Sequence, residues 1–188
     1  RYVARGVQPP AHGSGGGQCL VDEHTLNQYQ FKLCVKCAEE RMTERRFEGS
    51  TVLLTGATGG LGAAVAERLV GEGAEVVLTD VDEAGCVALA GRLGGRTRTA
   101  ALDVSSESDW ERVVAGAGPL TGLVNNAGIG SLGTVVGESR TRWDEVVAVD
   151  QLGTWLGMRH CGPVIERSGG GSIVNVGSIL GTTGGLGN

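Results

Sequence analysis

Thr51-Val52-Leu53-Leu54-Thr55-Gly56-Ala57-Thr58-Gly59-Gly60-Leu61-Gly62 decides the fold of this 188-residue chain. Four apolar or β-branched residues, Thr51–Leu54, predict a short buried strand. A glycine-rich turn ends it. Leu61–Val70 (LGAAVAERLV) then has helical spacing, and Gly71 and Gly73 stop that helix. A strand that feeds through a glycine turn into a helix is half of a βαβ unit.

The same alternation continues outward. Glu75–Thr79 predicts a second strand and Ala84–Leu93 a helix. A third strand is expected over Arg98–Leu102. Ser105, Ser106 and Ser108 offer N-caps to the next helix. Leu120–Asn125 predicts the fourth strand and Ser172–Val176 the fifth. Between these two, Arg142–Arg159 predicts a long helix with a broad apolar face of Trp143, Val146, Val147, Leu152, Trp155 and Leu156. Near-continuous apolar strands alternating with helices imply a parallel sheet covered on both faces. Right-handed crossovers favour a doubly wound, Rossmann-type α/β fold.

Upstream the pattern fails. Residues 1–41 mix Pro9-Pro10, the run Gly13–Gly17 and polar stretches without a sustained period. They read as a disordered or non-native extension. The folded unit is expected over 42–188, with Met42 a natural starting residue.

Bulk properties restrict the function. The chain is 40% hydrophobic and 20% charged, with a net charge of −5. Mild acidity argues against nucleic acid or an anionic membrane surface as partner. No apolar run is long enough to span a bilayer. No charged-then-apolar leader opens the chain, so a cytoplasmic location is expected. Cysteines 19, 34, 37, 86 and 161 are odd in number and irregular in spacing, and read as free thiols. Cys34-Val35-Lys36-Cys37, with Cys19 and His24, fits no zinc-site spacing well, so no metal is expected. Cys86 and Cys161 fall in helical stretches and read as small apolar packing groups. Trp143 and Trp155 read as helix-face packing residues.

The glycine turn carries the chemistry. Gly56 permits the tight turn, Gly60 lets backbone approach a pyrophosphate, and Gly62 lets helix and strand pack closely. Helix N–H groups and the positive dipole end then attract phosphate. Asp80 ends the second strand, where a carboxylate can accept hydrogen bonds from ribose hydroxyls and repel a 2′-phosphate. No Arg or Lys lies in the turn or just after Asp80. The expected cofactor is therefore NAD, with NADP disfavoured.

With these residues in place, the chain resembles the short-chain dehydrogenase/reductase family over roughly Phe47–Asn188. The spacing glycine-x-x-x-glycine-x-glycine in TGATGGLG (55–62) is similar to that family's cofactor motif. Three further segments follow in order: Asp103-Val104, Asn125-Asn126-Ala127-Gly128, and Gly171–Ser178 (GSIVNVGS). The resemblance implies cofactor contacts from Gly56, Thr58, Gly59, Gly60, Leu61, Gly62, Asp80, Asp103, Val104, Asn126, Ala127 and Gly128. Asp103 also suits a turn or helix cap, and Asn126 a structural tie through its amide.

The resemblance implies hydride transfer between NAD(H) and a secondary alcohol or ketone, cyclic or steroid-like substrates among them. Ser178 matches the serine that binds the substrate oxygen. Asp150 falls where the family has an asparagine on its long helix. A carboxylate lacks the amide donor, but can still orient water. The family's tyrosine, about a dozen residues beyond the serine, and the lysine four residues later have no counterpart. From Phe47 to Asn188 there is neither lysine nor tyrosine, and the chain ends ten residues past Ser178. The sequence thus reads as a family member incomplete at its C-terminus. Dinucleotide recognition with negligible turnover is expected of these residues alone, and the gene product is expected to continue.

Two other readings compete: an NADP-dependent 3-oxoacyl-thioester reductase of the same family, and a non-catalytic dinucleotide-binding protein. Family resemblance also implies a homotetramer paired through the long helix and the one after it. That second helix has no counterpart here, so assembly stays open.

Overall fold

In the computed structural model, which describes residues 45–131 and 133–181, five strands form one parallel sheet. They are β1 (Thr51–Thr55), β2 (Glu75–Asp80), β3 (Thr97–Ala101), β4 (Gly122–Asn125) and β5 (Ser172–Asn175). Their order is β3-β2-β1-β4-β5, and every neighbouring pair is parallel. The expected tail over 1–41, Met42, and the Cys19, His24, Cys34 and Cys37 group lie outside the described residues.

Helices α1 (Gly60–Gly71), α2 (Glu83–Leu93) and α3 (Glu107–Ala117) make the first crossovers. The period of two along each strand assigns its side chains to opposite faces. Val52, Leu54, Val76 and Leu78 pack with Ala66, Leu69, Cys86 and Leu89 on one side. Leu53, Val77 and Leu123 pack with Trp110, Val113, Leu156, Cys161 and Ile165 on the other. This is the doubly wound α/β arrangement that the alternation predicts. Ser106 is the cap of α3, its hydroxyl accepting the Asp109 N–H at 3.3 Å.

The long helix differs from expectation. It starts at Arg140, not Arg142, and runs to Arg167, past Arg159 and through Pro163. It comprises α4 (Arg140–Val146), a π-helical turn (Val147–Leu152) and α5 (Gly153–Arg167). Burial of Cys161 and Ile165 against the sheet carries the helix past the proline. The apolar face is also misassigned. Trp143 and Trp155 were expected to pack, yet they are 62% and 49% exposed, and Leu152 is exposed too. The buried stripe is Gly153, Leu156, Gly157, Cys161 and Ile165. The Arg159 guanidinium lies over the Trp155 ring, 5.2 Å from its centre. Among the described residues, no helix is long and apolar enough to cross a membrane.

One buried charge ties the segment before β1 to the end of α1. Glu72 is fully buried. It takes a bidentate pair from Arg46, at 2.5 and 2.6 Å, and a further bond from Arg68. The Arg46 hydrogen bond holds the Glu72 carboxyl below its ordinary value of 4.5, against burial, with Arg68 assisting. A depressed native pKa means stability that is present above the unfolded value and lost as pH falls through the native one. Glu72→Gln is therefore expected to melt lower than wild type at neutral pH. Below pH 4.5 its melting temperature should fall less steeply. Parallel acid slopes in the two proteins would refute this account.

Candidate functional site

The carboxyl ends of β1, β2, β3 and β4 border a cleft of about 490 Å³. In doubly wound sheets this edge is where ligands bind, at the point where strand order reverses. Here the reversal lies between β1 and β4.

The floor is the turn from β1 into α1. Gly56 has φ +65°, and a Cβ there would lie 2.8 Å from Ala127 Cα. Only glycine lets the β1 turn and the segment after β4 pass this closely. At Gly62 an added Cβ would lie 2.0 Å from the Gly56 carbonyl oxygen. Gly60 is the opposite case, since a Cβ there would meet nothing within 4 Å. Gly59 caps α1 without a side chain to engage the first-turn N–H groups. The helix therefore presents backbone donors and open space to the cleft, which suits a diphosphate.

β2 delivers Asp80 beside this turn, because Thr55 and Thr79 are in register. The Thr58 N–H and hydroxyl donate to Asp80 Oδ2 at 3.0 and 2.7 Å, and the Asp82 N–H donates to Oδ1 at 3.2 Å. Next along the edge, β3 delivers Leu102, Asp103 and Val104. Asp103 Oδ1 accepts from the Ser105 N–H at 2.9 Å and hydroxyl at 2.7 Å, closing the turn its sequence position suggested. The Asp103 N–H in turn donates to Asp109, and this holds the Asp109 carboxyl below its ordinary value, with Arg112 assisting. Trp110, fully buried, donates its indole N–H to the Val104 carbonyl at 2.9 Å and so fixes that wall.

On the other side, Asn126 donates its amide to the carbonyls of Thr55 and Gly56, each at 3.0 Å. The N–H groups of Asn126 and Ala127 both donate to the Thr55 hydroxyl at 3.0 Å. The buried Asn125 amide donates to Asn175 Oδ1 at 2.9 Å, linking β4 to β5.

All twelve residues that the sequence picked out for a cofactor line this one cleft: Gly56, Thr58, Gly59, Gly60, Leu61, Gly62, Asp80, Asp103, Val104, Asn126, Ala127 and Gly128. Val81, Leu102, Ile129 and Val149, which the sequence did not single out, complete the wall. No basic side chain is among the lining residues. The two residues expected at the reacting end are not among the lining residues. Asp150, exposed on the π-helical turn, accepts the Ile129 N–H at 2.9 Å through Oδ1 and so pins the segment after Gly128. Ser178 lies three residues past β5, exposed, and is not among the lining residues. Beneath the Asp80 end, burial pushes the Cys86 thiol up to about 11, with Asp80, Asp82 and Glu83 adding to it; burial pushes Cys161 to about 12. Both are packing groups, as expected, and neither is a reactive thiolate.

Comparison with known proteins shows the family and the fold. A family model described as short chain dehydrogenase matches residues 50–188. A 2,5-dichloro-2,5-cyclohexadiene-1,4-diol dehydrogenase of Sphingobium indicum is 40% identical over 143 residues, which cover 72% of this chain and 57% of that protein. A 3-alpha-(or 20-beta)-hydroxysteroid dehydrogenase of Mycobacterium tuberculosis is 37% identical over 144 residues, covering 74% and 55%. Among solved structures, a 3-ketoacyl-(acyl-carrier-protein) reductase from Brucella melitensis complexed with NADH superposes with a TM-score of 0.69 at 34% identity, over 71% of this chain and 59% of that one. The chain thus spans little more than half the length of the curated relatives it matches.

Proposed function

We propose that this chain, which belongs to the short-chain dehydrogenase family, binds NAD(H) in its cleft and serves hydride transfer between that coenzyme and a secondary alcohol or ketone. The nicotinamide ring, when bound, supplies or takes the hydride. The chain's own residues have the following parts. Backbone N–H groups of Gly60–Gly62, in the first turn of α1, face the diphosphate, where the helix dipole favours negative charge. The Asp80 carboxylate accepts from the adenosine ribose hydroxyls. Leu102, Asp103 and Val104 border the adenine, and Asn126–Gly128 the ribose at the nicotinamide end. Ser178 is assigned to the substrate oxygen, and Asp150 to holding the Ile129 backbone. No residue of 47–188 is assigned the proton transfer, since that stretch has neither tyrosine nor lysine.

One observation carries the choice of NAD: a carboxylate fixed by three donors on a cleft wall without a basic side chain. A 2′-phosphate there would meet like charge with no counter-ion. The named relatives that act on a cyclohexadiene diol and a hydroxysteroid support an alicyclic alcohol as substrate. The solved 3-ketoacyl reductase supports an oxoacyl thioester as the second reading. Because that protein is complexed with NADH, coenzyme preference alone does not separate the two.

Titration calorimetry with NAD⁺ and NADP⁺ tests the proposal. Uptake of NAD⁺ at least tenfold tighter than NADP⁺ is expected. Equal or reversed affinity overturns the choice of coenzyme, and no uptake of either overturns the oxidoreductase reading.

A further inference from the structure

The Asp80 carboxylate is not left to find its own orientation. From Gly56 to Gly62, Thr58 is the only residue whose side chain can donate a hydrogen bond. Its hydroxyl and its N–H converge on one oxygen, Asp80 Oδ2, at 2.7 and 3.0 Å. The Asp82 N–H takes one site on Oδ1. An ionised carboxylate has about four acceptor sites. Three are filled by the protein, so what remains open is on Oδ1.

Thr58 is itself held. A Cβ on Gly85, in the first turn of α2, would lie 2.8 Å from Thr58 Cγ2. The methyl therefore packs on that turn while the hydroxyl meets Asp80. Asp82 ties the same turn, accepting the Gly85 N–H at 2.9 Å. One small network thus joins the diphosphate turn, the end of β2 and the start of α2.

We infer that Thr58 is a positioning residue that sets coenzyme selectivity through Asp80; the inference rests on the NAD reading above. A carboxylate anchored in this way presents fixed charge and one directed acceptor to a ribose hydroxyl. It cannot swing aside for a 2′-phosphate without breaking its bonds to Thr58. Loss of the hydroxyl leaves only the two backbone donors and loosens the carboxylate, which weakens the first contact and relaxes the repulsion against the second.

Thr58→Val removes the hydroxyl at nearly constant shape and keeps the backbone donor, whereas Thr58→Ser keeps the hydroxyl. Dissociation constants for NAD⁺ and NADP⁺ are measured by calorimetry on wild type and both variants, with melting temperatures as a control on folding. Thr58→Val is expected to raise the NAD⁺ constant by up to about tenfold, the scale of a weakened charge-assisted contact between Asp80 and the ribose hydroxyl. The NADP⁺ constant should hold or fall, so the NADP⁺/NAD⁺ ratio shrinks. Serine should restore the ratio. A purely structural role would move both constants together and leave the ratio unchanged, and that result overturns the inference. Should valine prevent folding, Thr58→Ala against Thr58→Ser makes the same comparison, with the ratio lost in alanine and kept in serine. Wild-type protein that takes up neither coenzyme defeats the NAD reading and this inference together. Normal wild-type preference with an unchanged ratio in the variants defeats this inference alone.

Discussion

Gly62→Ala is expected to abolish dinucleotide uptake and to lower the melting temperature at the same time. The added methyl would sit 2.0 Å from the Gly56 carbonyl oxygen and 2.9 Å from both Gly56 C and Ala57 Cα. All three neighbours are backbone, so no flexible side chain can yield. Relief requires the first turn of α1 to retreat from the end of β1 by roughly 1 Å or more, the shortfall from ordinary van der Waals contact. Overpacking of this kind costs about 1–3 kcal/mol, sometimes more. At about 2–4 °C per kcal/mol for a domain of this size, the shift is readily measured. The same retreat carries the Gly59 and Gly60 backbone away from its place on the cleft. Gly60→Ala is the control: beyond its chain neighbours and its own helix backbone, its methyl meets nothing within 4 Å. It should melt like wild type yet lose coenzyme affinity, because the methyl enters the space left for phosphate. Calorimetry and thermal melts on both variants check this. A Gly62→Ala protein with wild-type melting and uptake would show that the close approach is dispensable.

Much of this architecture was legible because it rests on two local signals. Val52 and Leu54 against Leu53, and Val76 and Leu78 against Val77, announce strands buried on both faces. Glycines at fixed offsets announce the turn. Asp80 was legible because the end of a second strand lies beside the first turn in any parallel βαβ unit.

The long helix was misread for a definite reason. Periodicity counts apolar residues, but its buried stripe depends on glycines that hydropathy hardly scores. A Cβ on Gly153 would lie 2.7 Å from Val104 Cγ2, and one on Gly157 2.4 Å from Asn125 Oδ1. The helix sits so close to the sheet there that bulk is excluded, and Trp143 and Trp155 are displaced to the exposed side. Glu72 escaped notice as well. A lone glutamate at a helix end reads as a solvated charge, and only the fold brings Arg46 to it across the chain. Ser178 and Asp150 were reached through resemblance, which orders motifs along a chain without stating which of them share a wall.

Thr55 is the residue whose importance the sequence hid most, since it reads simply as the last residue before a glycine. Thr55→Val is expected to destabilise the fold and weaken coenzyme binding, with Thr55→Ser restoring both. The Thr55 side chain is buried, and its hydroxyl accepts the N–H groups of Asn126 and Ala127 at 3.0 Å each. Valine is close in shape but apolar, so both backbone donors would face a methyl. Leaving a buried donor unpaired costs about 1–3 kcal/mol. Two together cost about 2–6 kcal/mol, a large share of the 5–15 kcal/mol typical of a whole domain. At the slope used above, the melting temperature falls by about 10 °C. Relief would come from lifting Asn126 and Ala127 off the β1 turn, and both residues line the cleft. Coenzyme affinity should therefore drop with stability, whereas a distant core truncation of equal thermal cost should leave affinity near wild type below its melting range. Serine keeps the acceptor and loses only a methyl, so it should recover most of both. A valine variant within about 0.5 kcal/mol of wild type, the range of an ordinary surface change, would mean that the two N–H groups find other partners and that this hydroxyl does not hold the cleft together.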